Sequence, residues 1–227
     1  MQFSYYGHSC FAVTINQKTI LFDPFITPNE LAKNIDITTI SCDYIAISHA
    51  HADHIADAVA IAKQTNATII CAFEIYEWLA KQGLNNFRPM NTGGKWSTDF
   101  GTIKCVSAIH SSGLPDGSYG GNPMGFVVKN DEFGNFYYAG DTALTLDMQL
   151  IPDFAKLNFA ILPIGDNFTM DIDDAIAAAK LCKVNKVIGV HFDTFPYIVI
   201  NHQEAKEKFQ AANIELILPK IGITIEI

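Results

Sequence analysis

Charge is scarce in this chain, at 17% of 227 residues, and positive charge is scarcer, with 15 Lys and Arg against 24 Asp and Glu. The resulting net charge of −9 argues against a general nucleic-acid surface or one resting on anionic lipid. It leaves room for an anionic small substrate, because bound metal cations dominate the field around them. No apolar run approaches the roughly 20 residues of a membrane span. The opening Met1-Gln-Phe-Ser-Tyr-Tyr-Gly-His8 has no basic stretch leading into an apolar one, so no secretory signal is read. Cys-x-x-Cys is missing too. The cysteines, at 10, 42, 71, 105 and 182, are odd in number and scattered, and read as small buried hydrophobes. Reduced thiols without a signal point to the cytoplasm. Pro- or Ser-rich linkers, low-complexity tracts and repeats are absent, so the expectation is a single domain over 1–227.

What is present is apolar: 49% of the chain is hydrophobic, ample for a large core. Against this background one stretch stands out, Ser48-His49-Ala50-His51-Ala52-Asp53-His54. It gathers three imidazoles and a carboxylate in a chain that has only 7 histidines. Neutral imidazole is the commonest protein ligand for transition metals, with carboxylate its usual companion. The residues before it read as a buried strand over 44–48, and those after it as a helix over about 54–65. The metal-ligating residue types therefore fall on a tight loop between rigid elements, as a precise metal site requires.

Strands and helices alternate along the rest. Strands are expected at 3–7, 10–15, 19–22, 67–71, 102–109, 124–129, 136–139, 159–163 and 186–190, with two short ones closing the chain. Helices are expected at 74–81, 171–182 and 202–211. The fold class is α/β, with two mixed sheets packed face to face and helices outside. The glycine-rich 113–125 stretch matches no phosphate-binding pattern, and a loop that long is more often functional or mobile than neutral. Three further candidates stand where a strand runs out: His110, Asp141 and His191. Strand ends on one sheet edge converge in space, so the three strengthen one another.

The pattern His49-x-His51-x-Asp53-His54, then His110, Asp141 within Gly140-Asp141-Thr142, and His191 resembles the metallo-β-lactamase superfamily. Tyr6-Gly-His8-Ser-Cys-Phe11, Asp23-Pro-Phe25, Pro163 to Met170 and His191-Phe-Asp-Thr-Phe-Pro196 resemble, within it, the metal-dependent hydrolases related to L-ascorbate-6-phosphate lactonase. The resemblance implies a four-layer αβ/βα sandwich with a two-metal site at one edge. It implies that His49, His51 and His110 hold one ion, that Asp53, His54 and His191 hold the other, and that Asp141 bridges them. The superfamily's redox branch usually has Glu where this chain has His51. Its RNA-processing branch usually has Gly where Asp57 stands.

The expected activity is hydrolysis of a small ester-like substrate (lactone, phosphodiester or thioester) by hydroxide on two divalent ions. Zinc is the leading cofactor, with manganese and iron as alternatives, since all-N/O ligation suits each. Asp53 would also orient the nucleophile. His8 would bind substrate or protonate a leaving group. Asn167 and Thr194 would line the cleft, and Asp23 would accept the outer N–H of a metal-bound His. His202 reads as a surface residue, and Trp78 and Trp96 as core. The expected partner is a small molecule, with no nucleic acid and no membrane, and a homo-oligomer is compatible. The competing readings are a non-catalytic metal-binding or sensor protein and, third, a diiron redox protein.

Overall fold

A computed structural model describes residues 1–227. The chain opens as a meander of β1 (Gln2–Gly7), β2 (Cys10–Ile15) and β3 (Lys18–Phe22). Asn16 and Gln17 both take positive φ, the geometry that a two-residue hairpin turn demands. Then β4 (Tyr44–Ala46), α1 (Ala52–Ile55), α2 (Ala58–Thr65), β5 (Thr68–Ala72), α3 (Phe73–Ala80) and β6 (Phe87–Met90) follow. The first sheet has the order β6-β5-β4-β3-β2-β1, parallel from β6 to β3 and antiparallel beyond.

The second half gives β7 (Lys95–Thr98), β8 (Gly101–Ser107), β9 (Met124–Lys129), β10 (Phe136–Tyr138), α4 (Ile151–Phe154), β11 (Phe159–Pro163), α5 (Ile172–Leu181), β12 (Lys186–Val190), α6 (His202–Ala211) and β13 (Glu215–Ile217). These seven strands form a second sheet in sequence order. The last strand, β14 (Thr224–Glu226), crosses back to pair antiparallel with β1.

Alternation along the strands sorts the second sheet into two faces. Phe126, Phe136, Tyr138 and Ile161 belong to the core shared with the first sheet. Aromatic contacts Phe22–Phe126 at 6.0 Å and Phe11–Tyr138 at 4.9 Å join the two sheets. Val127, Tyr137, Ala160 and Leu162 join the other core, with Ala175, Ala178 and Ala179 of α5 and Phe209 of α6. The result is the expected pair of mixed sheets with helices outside. All five cysteines are free and buried.

Three expectations are corrected. The helix foreseen over 54–65 is two helices, α1 and α2. Asp57 between them turns its carboxylate to the Ile26 and Thr27 N–H groups, at 2.6 and 2.8 Å. The strand foreseen over 44–48 ends its ladder at Ala46, although Ile47 N–H still reaches Ile70 O at 2.9 Å. Two edge strands, β6 and β7, stand where none was expected. Trp78 and Trp96 are half-buried at the rim of the core.

Candidate metal centre

In the second sheet β8, β10, β11 and β12 run in one direction. His110, Asp141 and His191 follow the C-terminal ends of three of these strands and meet at one edge. The first sheet brings the 48–54 loop to the same edge, where Met124 N–H bonds Ser48 O at 3.0 Å. Gly140 is required there: its φ is +63, and a Cβ would stand 2.9 Å from that of Ser48. Buried His8, Asp23 and His191 also take positive φ, at 54, 42 and 57. Such conformations are costly for non-glycine residues and cluster where function over-determines the backbone.

Two groups of side chains converge, each with its ligand atoms within 4.8 Å of one another: His49, His51 and His110, and beside them His8, Asp53, His54 and His191. Asp141 lies between the groups. Its Oδ2 is 3.0 Å from His191 Nε2 and 3.3 Å from His54 Nε2 on one side. It is 3.6 Å from His110 Nε2 and 3.8 Å from His49 Nε2 on the other.

The surrounding hydrogen bonds decide which nitrogens keep a lone pair. Asp23 Oδ2 accepts from Ser48 Oγ at 2.6 Å and from His54 Nδ1 at 2.9 Å. His54 therefore carries its proton on Nδ1 and offers Nε2 inward. Ser48 Oγ has spent its proton on Asp23, so at 3.0 Å it accepts from His49 Nδ1, which frees His49 Nε2. His51 Nε2 stands 3.1 Å from Ser111 Oγ, and its Nδ1 faces His49 Nε2 at 3.0 Å. Ser112 Oγ steadies the loop by accepting from Ala50 N–H at 3.1 Å.

Electrostatics favours cations here. Burial, and then the neighbouring imidazoles, push His49 well below its ordinary value, and burial lowers His51 and His110 as well. Burial also opposes a charge on His54, yet the Asp141 and Asp23 carboxylates carry it well above the ordinary range. Burial would raise Asp141, but His191 and His54 hold it well below the usual carboxylate range. His54 Nε2, Asp141 Oδ1 and His191 Nδ1 are buried without a hydrogen-bond partner. Buried polar atoms almost always have one, so such exceptions point to an ion or a water. Imidazoles aimed inward with two carboxylates fit divalent transition metals.

The remaining expected residues are placed as follows. Asp23 does bind the outer N–H of His54. His8 is 1% exposed, and its ring nitrogens face Thr194 Oγ1 at 3.1 Å and Asp53 Oδ2 at 3.0 Å. A proton donor to a leaving group needs a face to the cleft, and His8 stands behind Asp53 instead. Burial, then His191, lowers His8 to about 4, so at neutral pH it is an uncharged imidazole. Asn167 and Thr194 are not among the residues lining the cleft. Asn167 is exposed on a turn next to the true lining residue, Phe168, and Thr194 is turned to His8. His202 is half-exposed but not idle, because its Nε2 bonds Asp193 Oδ2 at 2.6 Å.

The cleft that opens over the centre has a volume of ≈ 730 Å³. His51, Asp53, His110, Ser111, Asp141 and His191 form its floor. Its walls include Phe25, Phe168, Phe195 and Tyr197. Sequence reasoning missed this wall, because no spacing ties loop aromatics at 25, 168 and 195–197 together. Ser48 and Ser111 were missed as well, although their adjacency to metal-ligating residue types was a usable signal.

Two seven-stranded sheets with a histidine-rich centre at one edge define the metallo-β-lactamase class of metal-dependent hydrolase. The model of the β-lactamase superfamily domain matches residues 18–192. A UPF0173 metal-dependent hydrolase of Flavobacterium johnsoniae is 53% identical over 227 residues, covering 100% of both chains. Another, from Staphylococcus carnosus, is 40% identical over 96% of this chain and 97% of its own. Among solved structures, the metallo hydrolase Igni18 of Ignicoccus hospitalis superposes with a TM-score of 0.87 at 34% identity, over 100% of this chain and 98% of that one. An isothiocyanate hydrolase from Delia radicum gut bacteria shares the fold alone, at 17% identity and a TM-score of 0.80 over 100% and 99%. The chain belongs to the UPF0173 family of metal-dependent hydrolases within the metallo-β-lactamase superfamily.

Proposed function

We propose that this hydrolase holds two divalent ions, zinc in the first place, and cleaves a small ester-like substrate. The observation that carries the reading is the position of Asp141 Oδ2, within 3.0–3.8 Å of the Nε2 atoms of four histidines drawn from both groups. His49, His51 and His110 would hold one ion, and Asp53, His54 and His191 the other, with Asp141 shared. When bound, the pair supplies a water acidified towards neutral pH and polarisation of the scissile carbonyl or phosphoryl oxygen.

The chain's own residues do the rest. Asp53 lines the cleft with its side chain 26% exposed. Burial would raise Asp53, but the hydrogen bond from His8 holds it lowered and ionised. The oxygen that accepts from His8 keeps a second lone pair with which it would hold the ion, and the other oxygen would be free to accept a hydrogen bond from the water that attacks. His8 acts as a positioning residue in an Asp53–His8–Thr194 line that sets the angle of that carboxylate. Ser9 and Cys10 are buried and do not line the cleft, so neither serves as a nucleophile in this reading. The substrate is a small molecule held by the cleft walls, in the cytoplasm.

The test is turnover by metal-reloaded protein on a panel of lactones, thioesters, carboxylic esters and phosphodiesters. The expected result is metal-dependent hydrolysis of one class, with a single solvent oxygen in the product. Two bound ions with no turnover across the panel would favour a metal-binding or sensor role instead.

A further inference from the structure

We infer that the substrate carries a neutral apolar or aryl group, seated on the wall formed by Phe25, Pro28, Phe168, Phe195, Pro196 and Tyr197; this rests on the hydrolase reading above. The chain has 15 Lys and Arg, and none lines the cleft. Besides the His and Asp residues, the polar side-chain groups in the lining are two neutral hydroxyls, Ser111 Oγ, which is engaged with His51 at 3.1 Å, and the phenol of Tyr197. A phosphate or carboxylate at the far end of a substrate would therefore meet no charge-assisted partner, of the kind that sites for such groups supply through Arg or Lys.

The wall is built for apolar contact instead. Phe25 is 5% exposed and packs its ring 5.5 Å from His8 and 6.3 Å from Phe195. The buried Asp57 carboxylate, bonded to the Ile26 and Thr27 N–H groups, fixes the loop that carries Phe25. Opposite, Phe168 and Tyr197 meet edge to face at 6.3 Å, yet remain 50% and 74% exposed. Two large aromatic rings left open to water beside a metal floor form a preformed subsite, since ligand pockets are mostly apolar with few polar groups to set orientation. The loop bearing Phe195 to Tyr197 is tied at both ends. Asp193 accepts from Ile200 N–H at 3.1 Å and bonds His202 at 2.6 Å.

The experiment measures equilibrium binding of straight-chain methyl ketones of five to nine carbons, and of their ω-carboxylate counterparts. It uses displacement of the neutral fluorophore N-phenyl-1-naphthylamine, from metal-free and from metal-loaded protein. Each buried methylene should tighten binding about fourfold until the wall is filled. The carboxylates should bind at least about tenfold more weakly than neutral ketones of equal length, because an unpaired charge is disfavoured on an apolar wall. Phe168→Ser with Tyr197→Ser, both on exposed side chains that the fold does not need, should flatten the series. Carboxylates binding as well as ketones, or a slope that survives the double substitution, would overturn the assignment. So would a flat series in a protein sedimenting as a dimer, restored when Val199→Asp separates the copies, which would give the rim to a second chain. Failure to hydrolyse any ester strikes the hydrolase reading, while the ketone series in metal-free protein decides this one.

Discussion

Asp23 Oδ2 accepts the Nδ1–H of His54 at 2.9 Å while it also takes the hydroxyls of Ser48 and Tyr138, at 2.6 and 2.5 Å. One buried oxygen thus orients His54 directly and His49 through Ser48. Asp23→Asn replaces the carboxylate with an amide that cannot accept from all three. Outer partners of this kind are worth roughly 10–100-fold in metal affinity. Competition against a chromophoric chelator should show a loss of that size, and unchanged affinity would remove Asp23 from this role.

Stoichiometry separates one centre from two. Elemental analysis of reloaded protein should approach two ions per chain. Asp141→Asn should drop the value towards one and nearly abolish turnover, because Asp141 faces both groups. A wild-type value saturating at one would leave metal binding intact and sink the shared carboxylate.

His8 gives a kinetic signature. As a positioning residue for Asp53 it should matter equally for good and poor leaving groups. His8→Ala should lower kcat about tenfold or more on both activated aryl and unactivated alkyl esters, with KM little changed, and His8→Gln should recover part of the loss. A general acid would instead spare the activated esters, since such help is typically worth about 10²–10⁴-fold where the leaving group is poor. Selective slowing of the alkyl esters would return His8 to proton donation.

The two ions should part company with pH. Metal ligands must be deprotonated, so protons compete with metal. The Asp141 and Asp23 carboxylates, overcoming burial, raise His54 well above its ordinary value of 6.5, whereas burial lowers His49, His51 and His110 below it. As pH falls, protons therefore claim the His54 group first, and the His49 group keeps its ion to lower pH. A metal titration from pH 8 to pH 5 should show two steps in that order. A single step, or the reverse order seen with ligand-specific variants, would contradict the charge balance described.

His202 makes a smaller but distinct claim. Its sequence context reads as an idle surface position, yet its imidazole is hydrogen-bonded to Asp193, at the base of the cleft wall. The pair is half-exposed, so its effect on stability should be slight, in line with exposed ion pairs generally. His202→Ala should instead raise KM severalfold while sparing kcat. An unchanged KM would show that the loop holds its place without the pair.

Much of this centre was legible because metal chemistry concentrates in few residue types. Six of the chain's 7 histidines meet at one edge, and the four residue clusters that carry ligand types announce themselves at strand ends. The sheet order was legible only as far as alternation reveals strands. The Phe87-Arg-Pro-Met segment hides its pairing because Pro89 cannot donate to a ladder, a cost tolerated on an edge strand such as β6. The break between α1 and α2 is a tertiary effect: the distant Ile26 and Thr27 N–H groups engage Asp57. Asn167 and Phe168 show the limit most plainly. They are adjacent in sequence, but the positive φ of Asn167, at 54, turns the chain so that Phe168 lines the cleft. No pattern in one sequence reports that dihedral.

The residues of each candidate ion group are drawn from both sheets. His49, His51, Asp53 and His54 arrive on the first, and His110, Asp141 and His191 on the second. Bound ions would therefore act as a clasp across the seam of the sandwich. Binding to the folded chain alone stabilises it by about 2.7 kcal/mol at a hundredfold excess over Kd, and here that energy would add to the apolar packing and to the hydrogen bonds that already cross the joint, such as Tyr138–Asp23, Met124–Ser48 and His191–His8. Metal supply would then set how tightly this protein is closed as well as how fast it works. Scarcity would leave a chain that still folds, with its two halves freer to breathe at the very edge where substrate enters.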